Sequence, residues 1–234
     1  MRKILLTTLA ALAALAAVSC ASSGAQTRND EPEKRAAAAV KAGQWEEAAR
    51  LLTGIEAAKG LGSGQYMWLA TALLHTRDYG GALEACSRWE EAYPDPGKDE
   101  DAVRLDITRL AAYARGDYGR SMAASLRLAS LTDGTQRTEC LRHTALCMGL
   151  TGDDAGAADM YRAYVSARME DRDLTMDGII ENGADDPELG KAFLWLARHE
   201  SGEDIDTAVE YVVLSASCGN REALEIMTDM EAML

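Results

Sequence analysis

Three histidines, five cysteines and a run of aspartates are the residues of this chain whose types could do chemistry. The histidines, His75, His143 and His199, are widely spaced, and none belongs to an H-E-x-x-H pair that would seat a metal on one helix face. No G-x-S-x-G elbow, P-loop or dinucleotide fingerprint occurs. The aspartates of DRDLTMDGIIENGADD, 171–186, invite a calcium reading. An EF-hand counted from Asp171 needs glycine at the sixth position and glutamate at the twelfth, but Met176 and Asn182 stand there. No metal, cofactor or catalytic residue is expected, and the chain reads as a non-enzyme.

The cysteines divide by context. Cys86, Cys140, Cys147 and Cys218 lie in predicted helices and form no C-x-x-C pair. They read as small buried hydrophobes, with three disulfide connectivities open to them in an oxidising compartment. Cys20 is different. Met1-Arg2-Lys3 is a positive leader, Ile4 to Val18 an apolar stretch too short for a comfortable membrane span, and small residues follow. Residues 1–19 thus read as a secretory signal peptide. The boundary Ala17-Val18-Ser19-Cys20-Ala21 resembles a bacterial lipobox, which implies that Cys20 becomes a lipidated N-terminus. Three acyl chains would satisfy the requirement for stable anchoring. Ala21 in place of Asp implies, within that class, sorting to the outer membrane, facing the periplasm. The plain alternative is cleavage after Ser19 or Ala21 with no lipid. Residues 20–31 are small and polar, a tether.

The elements that carry these residues follow from composition and period. The 234-residue chain is 47% hydrophobic, rich in alanine and leucine, with one phenylalanine and few β-branched residues, a balance that favours helix. Its net charge is −14, and loss of the first 19 residues, which carry Arg2 and Lys3 and no acid, takes it to about −16. That excludes a nucleic-acid binder, which needs a basic surface.

GQWEEA at 43–48 recurs as RDYGGA at 77–82, GDYGRS at 116–121 and GDDAGA at 152–157, with a longer relative, GEDIDTA, at 202–208. The closing small residues, Ala48, Ala82, Ser121, Ala157 and Ala208, are spaced by 34, 39, 36 and 51. Each hexamer reads as the corner of a helical hairpin. A glycine ends one helix, an aromatic opens the next, and a small residue lets the two approach. Helices are predicted near 31–42, 45–59, 64–76, 79–93, 98–115, 118–131, 135–151, 154–169, 187–199, 205–218 and 220–233, with a short one at 174–181. Asp30 and Ser63 are candidate N-caps.

Tyr66, Leu69, Ala70, Leu73, Tyr79, Ala82 and Pro94 resemble the tetratricopeptide repeat pattern. Residues 191–227, with Ser201 to Asp206 as a long turn and Gly219, Asn220 and Ala223 after it, are similar to a Sel1-like repeat. The resemblance implies an all-α, right-handed superhelical α-solenoid of antiparallel helix pairs. It divides the chain into a tetratricopeptide-like array at 32–170, an acidic linker at 171–186, and a Sel1-like pair with a capping helix at 187–234.

Such folds bind along the first helices of their hairpins. The spacing places Met67, Trp68, Thr71, Leu74 and His75 there in the second hairpin. Asp106, Ile107, Leu110 and Tyr113 follow in the third, and Arg142, His143 and Leu146 in the fourth. Trp68 is equally at home in a core. The function implied is a membrane-anchored scaffold of the bacterial envelope that holds a protein or peptide partner. The alternative is a small-ligand accessory module for a periplasmic transporter, with a pocket around Trp68, Tyr113 and Met148.

Overall fold

The structure, a computed structural model, describes residues 31–232. The signal peptide, Cys20, the tether up to Asp30, and Asp30 as a cap all lie outside the described residues. Within them the chain forms twelve α-helices and no strand. They fall into two compact units that divide after Arg115.

The first unit holds α1 (Glu31–Lys41), α2 (Trp45–Lys59), α3 (Ser63–His75), α4 (Tyr79–Ala92) and α5 (Lys98–Ala114). Each helix packs on its neighbour in sequence, and α3 also meets α5, the arrangement of stacked helical hairpins. The bounds lie within two residues of those predicted for these five helices. Leu52, Leu69 and Trp89 are almost wholly buried in one core, with Ile107 and Ala111 of α5 closing it. Ala39, Ala48 and Ala72 pack together between α1, α2 and α3. Ser63 is not the cap it was expected to be. Gly62 holds that position, and the Gln65 side chain accepts the Gly62 N–H at 2.9 Å. The Ser63 hydroxyl instead donates to Glu100 and accepts from Trp89 Nε1, both at 2.8 Å, which ties the starts of α3 and α5 to the buried ring of α4.

The second unit holds α6 (Tyr118–Leu131), α7 (Gly134–Thr151), α8 (Asp154–Asp171), α9 (Met176–Asn182), α10 (Pro187–Glu200), α11 (Ile205–Ser217) and α12 (Arg221–Glu231). Here α6 packs on α7, α7 on α8, α8 on α10, α10 on α11 and α11 on α12. Tyr164, Leu189, Phe193, Leu196 and Leu214 form the core. Glycine 190 brings α10 against its partner: a Cβ there would lie 3.1 Å from both Cys218 Cβ and Ser215 O. The short α9 joins no hairpin and packs on α11.

The corners share one backbone. Gly43, Arg77, Gly116 and Gly152 are all left-handed, with φ of 67°, 64°, 77° and 83°. The residues after them, Gln44, Asp78, Asp117 and Asp153, have nearly identical φ and ψ, near −85° and 71°. Each aspartate accepts the N–H three residues on, at 2.9 to 3.1 Å, and so caps the second helix of its hairpin. Gln44 makes no such bond. The hexamer's second residue is therefore a helix cap, a role the spacing alone did not reveal.

Candidate binding surface

On α3, Met67 and Thr71 are buried, and Trp68, Leu74 and His75 are half-buried against the first core. The Thr71 hydroxyl has no hydrogen-bond partner among the described residues. His75 stacks flat on Trp45, ring centroids 4.2 Å apart and planes 6° from parallel, joining one hairpin's corner to the next hairpin's first helix. Loss of solvent lowers the His75 pKa, so the neutral ring is favoured there.

On α5, Ile107 and Asp106 are buried, Leu110 and Tyr113 half-buried. Arg109 donates to Asp106 Oδ1 through Nη2 at 2.5 Å and Nε at 3.1 Å. One turn earlier, buried Arg104 pairs with Asp101 at 2.6 Å and Glu90 at 3.1 Å, while its Nη1 has no hydrogen-bond partner among the described residues. Sequence reading passed over Arg104 and Arg109. The Asp-x-x-Arg spacing at 101–104 and 106–109 was the available signal, since residues three apart share a helix face.

In the second unit, Arg142 and Leu146 of α7 are half-buried and His143 is buried. Arg142 donates to Glu139 at 2.9 Å and approaches Glu188 at 3.2 Å, linking α7 to the start of α10. His143 Nε2 lies 2.7 Å from Ser121 Oγ, and Cys147 Sγ donates to the same hydroxyl at 3.7 Å. That bond explains why serine replaces the repeat's alanine at 121: the hydroxyl joins α6 to α7. His199 stacks over Trp195. The three histidines thus each make a defined structural contact. Of the pocket set around Trp68, Tyr113 and Met148, the first two belong to the first unit and Met148 to the second.

A further ionic centre was not anticipated. Asp186, 3% exposed, caps α10 through the Leu189 N–H at 3.2 Å and accepts from Arg168 at 2.8 Å and Arg172 at 2.9 Å. Burial alone would raise its pKa. The two guanidiniums and the backbone N–H outweigh that and hold it below the ordinary aspartate value. Nearby, Tyr164 is fully buried, and its hydroxyl has no hydrogen-bond partner among the described residues. Burial first, then the Asp186 and Glu139 charges, push its pKa up. The segment 171–186, read as an acidic linker, contains Asp186 and Arg172 of this centre and the buried Ile179 of α9.

Cys86, Cys140, Cys147 and Cys218 are buried thiols. Burial pushes the Cys218 pKa up to about 11, far from the reactive range. Among the described residues no cluster of three His, Cys, Asp or Glu side chains could hold a metal ion, and no helix is long and apolar enough to cross a membrane.

No protein-family model matches the chain, and no curated protein matches it in sequence. Its likeness is to solved structures. MamA AMB-1 is 14% identical, with a TM-score of 0.59 over 81% of this chain and 90% of its own. MamA MSR-1, also 14% identical, gives 0.58 over 84% and 99%. A Podosopora anserina kinesin light chain protein with nearly identical TPR-like repeats is 15% identical and gives 0.54 over 81% and 94%. The chain therefore has a tetratricopeptide-type fold, all-α and of the α-solenoid class.

Proposed function

We propose that this protein is a non-enzymatic scaffold that holds a protein or peptide partner along the first helices of its hairpins. We read it as lipid-anchored through Cys20 in the bacterial envelope. The observation that carries the binding role is on α3, the first helix of its hairpin, where Trp68 packs on the core with one part of its ring and leaves the rest exposed. A large aromatic side chain left partly in solvent is the kind of residue that anchors a partner. His75 and Tyr113 are the other half-exposed rings on the first helices of the first unit.

Repeats of this fold in the matched kinesin light chain protein support a scaffold reading. The anchor rests on the leader and on the placement of Cys20. The engagement of each histidine in a structural contact favours a non-enzyme. The C-terminal helices α10 to α12 carry the Sel1-like role proposed for 187–234.

Cross-linking in the native envelope, followed by purification, identifies the partner. Trp68→Ala then tests the surface, with circular dichroism as the check on folding. Loss of the identified partner with the helices retained is expected. Full retention of partner by Trp68→Ala would overturn the assignment. Metabolic labelling with a palmitate analogue, lost in Cys20→Ala, is the expected result for the anchor, and undiminished labelling would refute it.

A further inference from the structure

The helix α9 packs on α11. Ile179 is fully buried, and just beyond the helix the Ala184 N–H donates to Ser217 O at 2.9 Å at the end of α11. Another side carries Met176 and Ile180, 36% and 43% exposed, at the spacing that puts two side chains on one helix face. Asp177 and Glu181 run beside them at the same spacing, and Asp173 and Asp185 stand at the two ends, all exposed.

These four carboxylates make no ion pair with any described residue. Some carboxylates of other helices in this unit are balanced, Asp159 by Arg162, Glu188 by Lys191 and Glu225 by Arg221, whereas α11, on which α9 packs, contains no lysine or arginine to offset those of α9. The α9 sequence, MDGIIEN, contains no lysine or arginine, and Arg172 before it donates to Asp186 and to the Asp185 carbonyl. An exposed apolar pair is unfavourably solvated, and neighbouring unbalanced carboxylates repel one another. One kind of partner relieves both: a segment that brings apolar side chains and cations together.

We propose that α9 is a docking surface for a cationic amphipathic segment of a partner protein. Its apolar side chains cover Met176 and Ile180, and its Lys and Arg side chains lie beside Asp177 and Glu181. This surface is separate from the one centred on Trp68 and does not depend on it.

The test titrates the full-length protein with a fluorescent helical peptide built of leucine and lysine. Saturable binding is expected, weakened about tenfold by Met176→Ser with Ile180→Ser, and by a similar factor in Asp177→Asn with Glu181→Gln. A variant with the same charge change elsewhere, Glu203→Gln with Glu210→Gln, keeps native affinity. Circular dichroism checks that the helices remain, and if the apolar variant loses them the carboxylate variant alone decides. Three results would overturn the proposal. Equal loss in the control variant would mean that bulk acidity binds the peptide. Equal binding of a lysine peptide without leucine would remove the apolar component. Self-association abolished by the α9 substitutions would make the occupant a second copy of this chain.

Discussion

Asp186 concentrates more of the second unit's electrostatics than any other residue described above. It is buried, caps α10 and accepts hydrogen bonds from two guanidiniums. Removing its charge leaves Arg168 and Arg172 without their counter-ion, so Asp186→Asn should cost about 3 kcal/mol in urea unfolding. Its lowered pKa fixes a sign. The stabilisation is complete above the unfolded value of about 3.9 and is lost as the pH falls through and below it. His75 behaves in the opposite chemical sense but with the same direction in pH. Its folded pKa is depressed, so below about 6.5 the unfolded chain takes up more protons than the folded one. The melting temperature should fall as the pH drops from 7.5 towards 5.5, and His75→Phe, which keeps a ring on Trp45, should flatten that slope. An unchanged slope in the variant would show that the stack does not control the titration. Neither residue's role was legible in the sequence. Burial and stacking are made by distant segments, and His75 stood there only as a position along a first helix.

At the scale of the element, the hairpin corner combines a left-handed residue, a capping aspartate and a close-packed small residue. Two corners depart from it, and the departures are levers. Gln44 sits in the capping backbone without a capping bond, so Gln44→Asp should stabilise by about 0.5–1 kcal/mol. Arg77 holds the left-handed slot that glycine fills in the other three corners, and Arg77→Gly should stabilise by up to about 1 kcal/mol. Gly190→Ala should do the reverse. The added methyl meets Cys218, Ser215 and Asn220 within 3.2 Å, and separating α10 from α11 should cost about 1–3 kcal/mol. Thermal unfolding of the three variants reads all of these. The helices themselves were readable from the hexamers, because a corner is a local event written in adjacent residues. The position of α9 was readable too, but its anchoring was not. Ile179 and Ile180 are adjacent and alike in sequence, and only the packing of α11 decides which is buried.

For the whole molecule, the legible part is the architecture: repeated corners at a near-constant period imply a stack of hairpins, and the solved structures share that fold. The working surfaces were less legible. Of the twelve residues marked for binding, Met67, Thr71, Asp106, Ile107 and His143 are buried, and the other seven are half-buried. A period places a residue on a helix, whereas its exposure depends on which neighbours arrive.

The buried thiols give the molecule a set of internal clocks. Cys86 lies in the first unit and Cys140, Cys147 and Cys218 in the second. A maleimide reaches each sulfur only when its helix opens, so labelling rates under native conditions report local opening free energies, as amide exchange does. The kinetics of Cys86 against the other three then reveal whether the two halves breathe together or apart, in the native protein and without a single substitution.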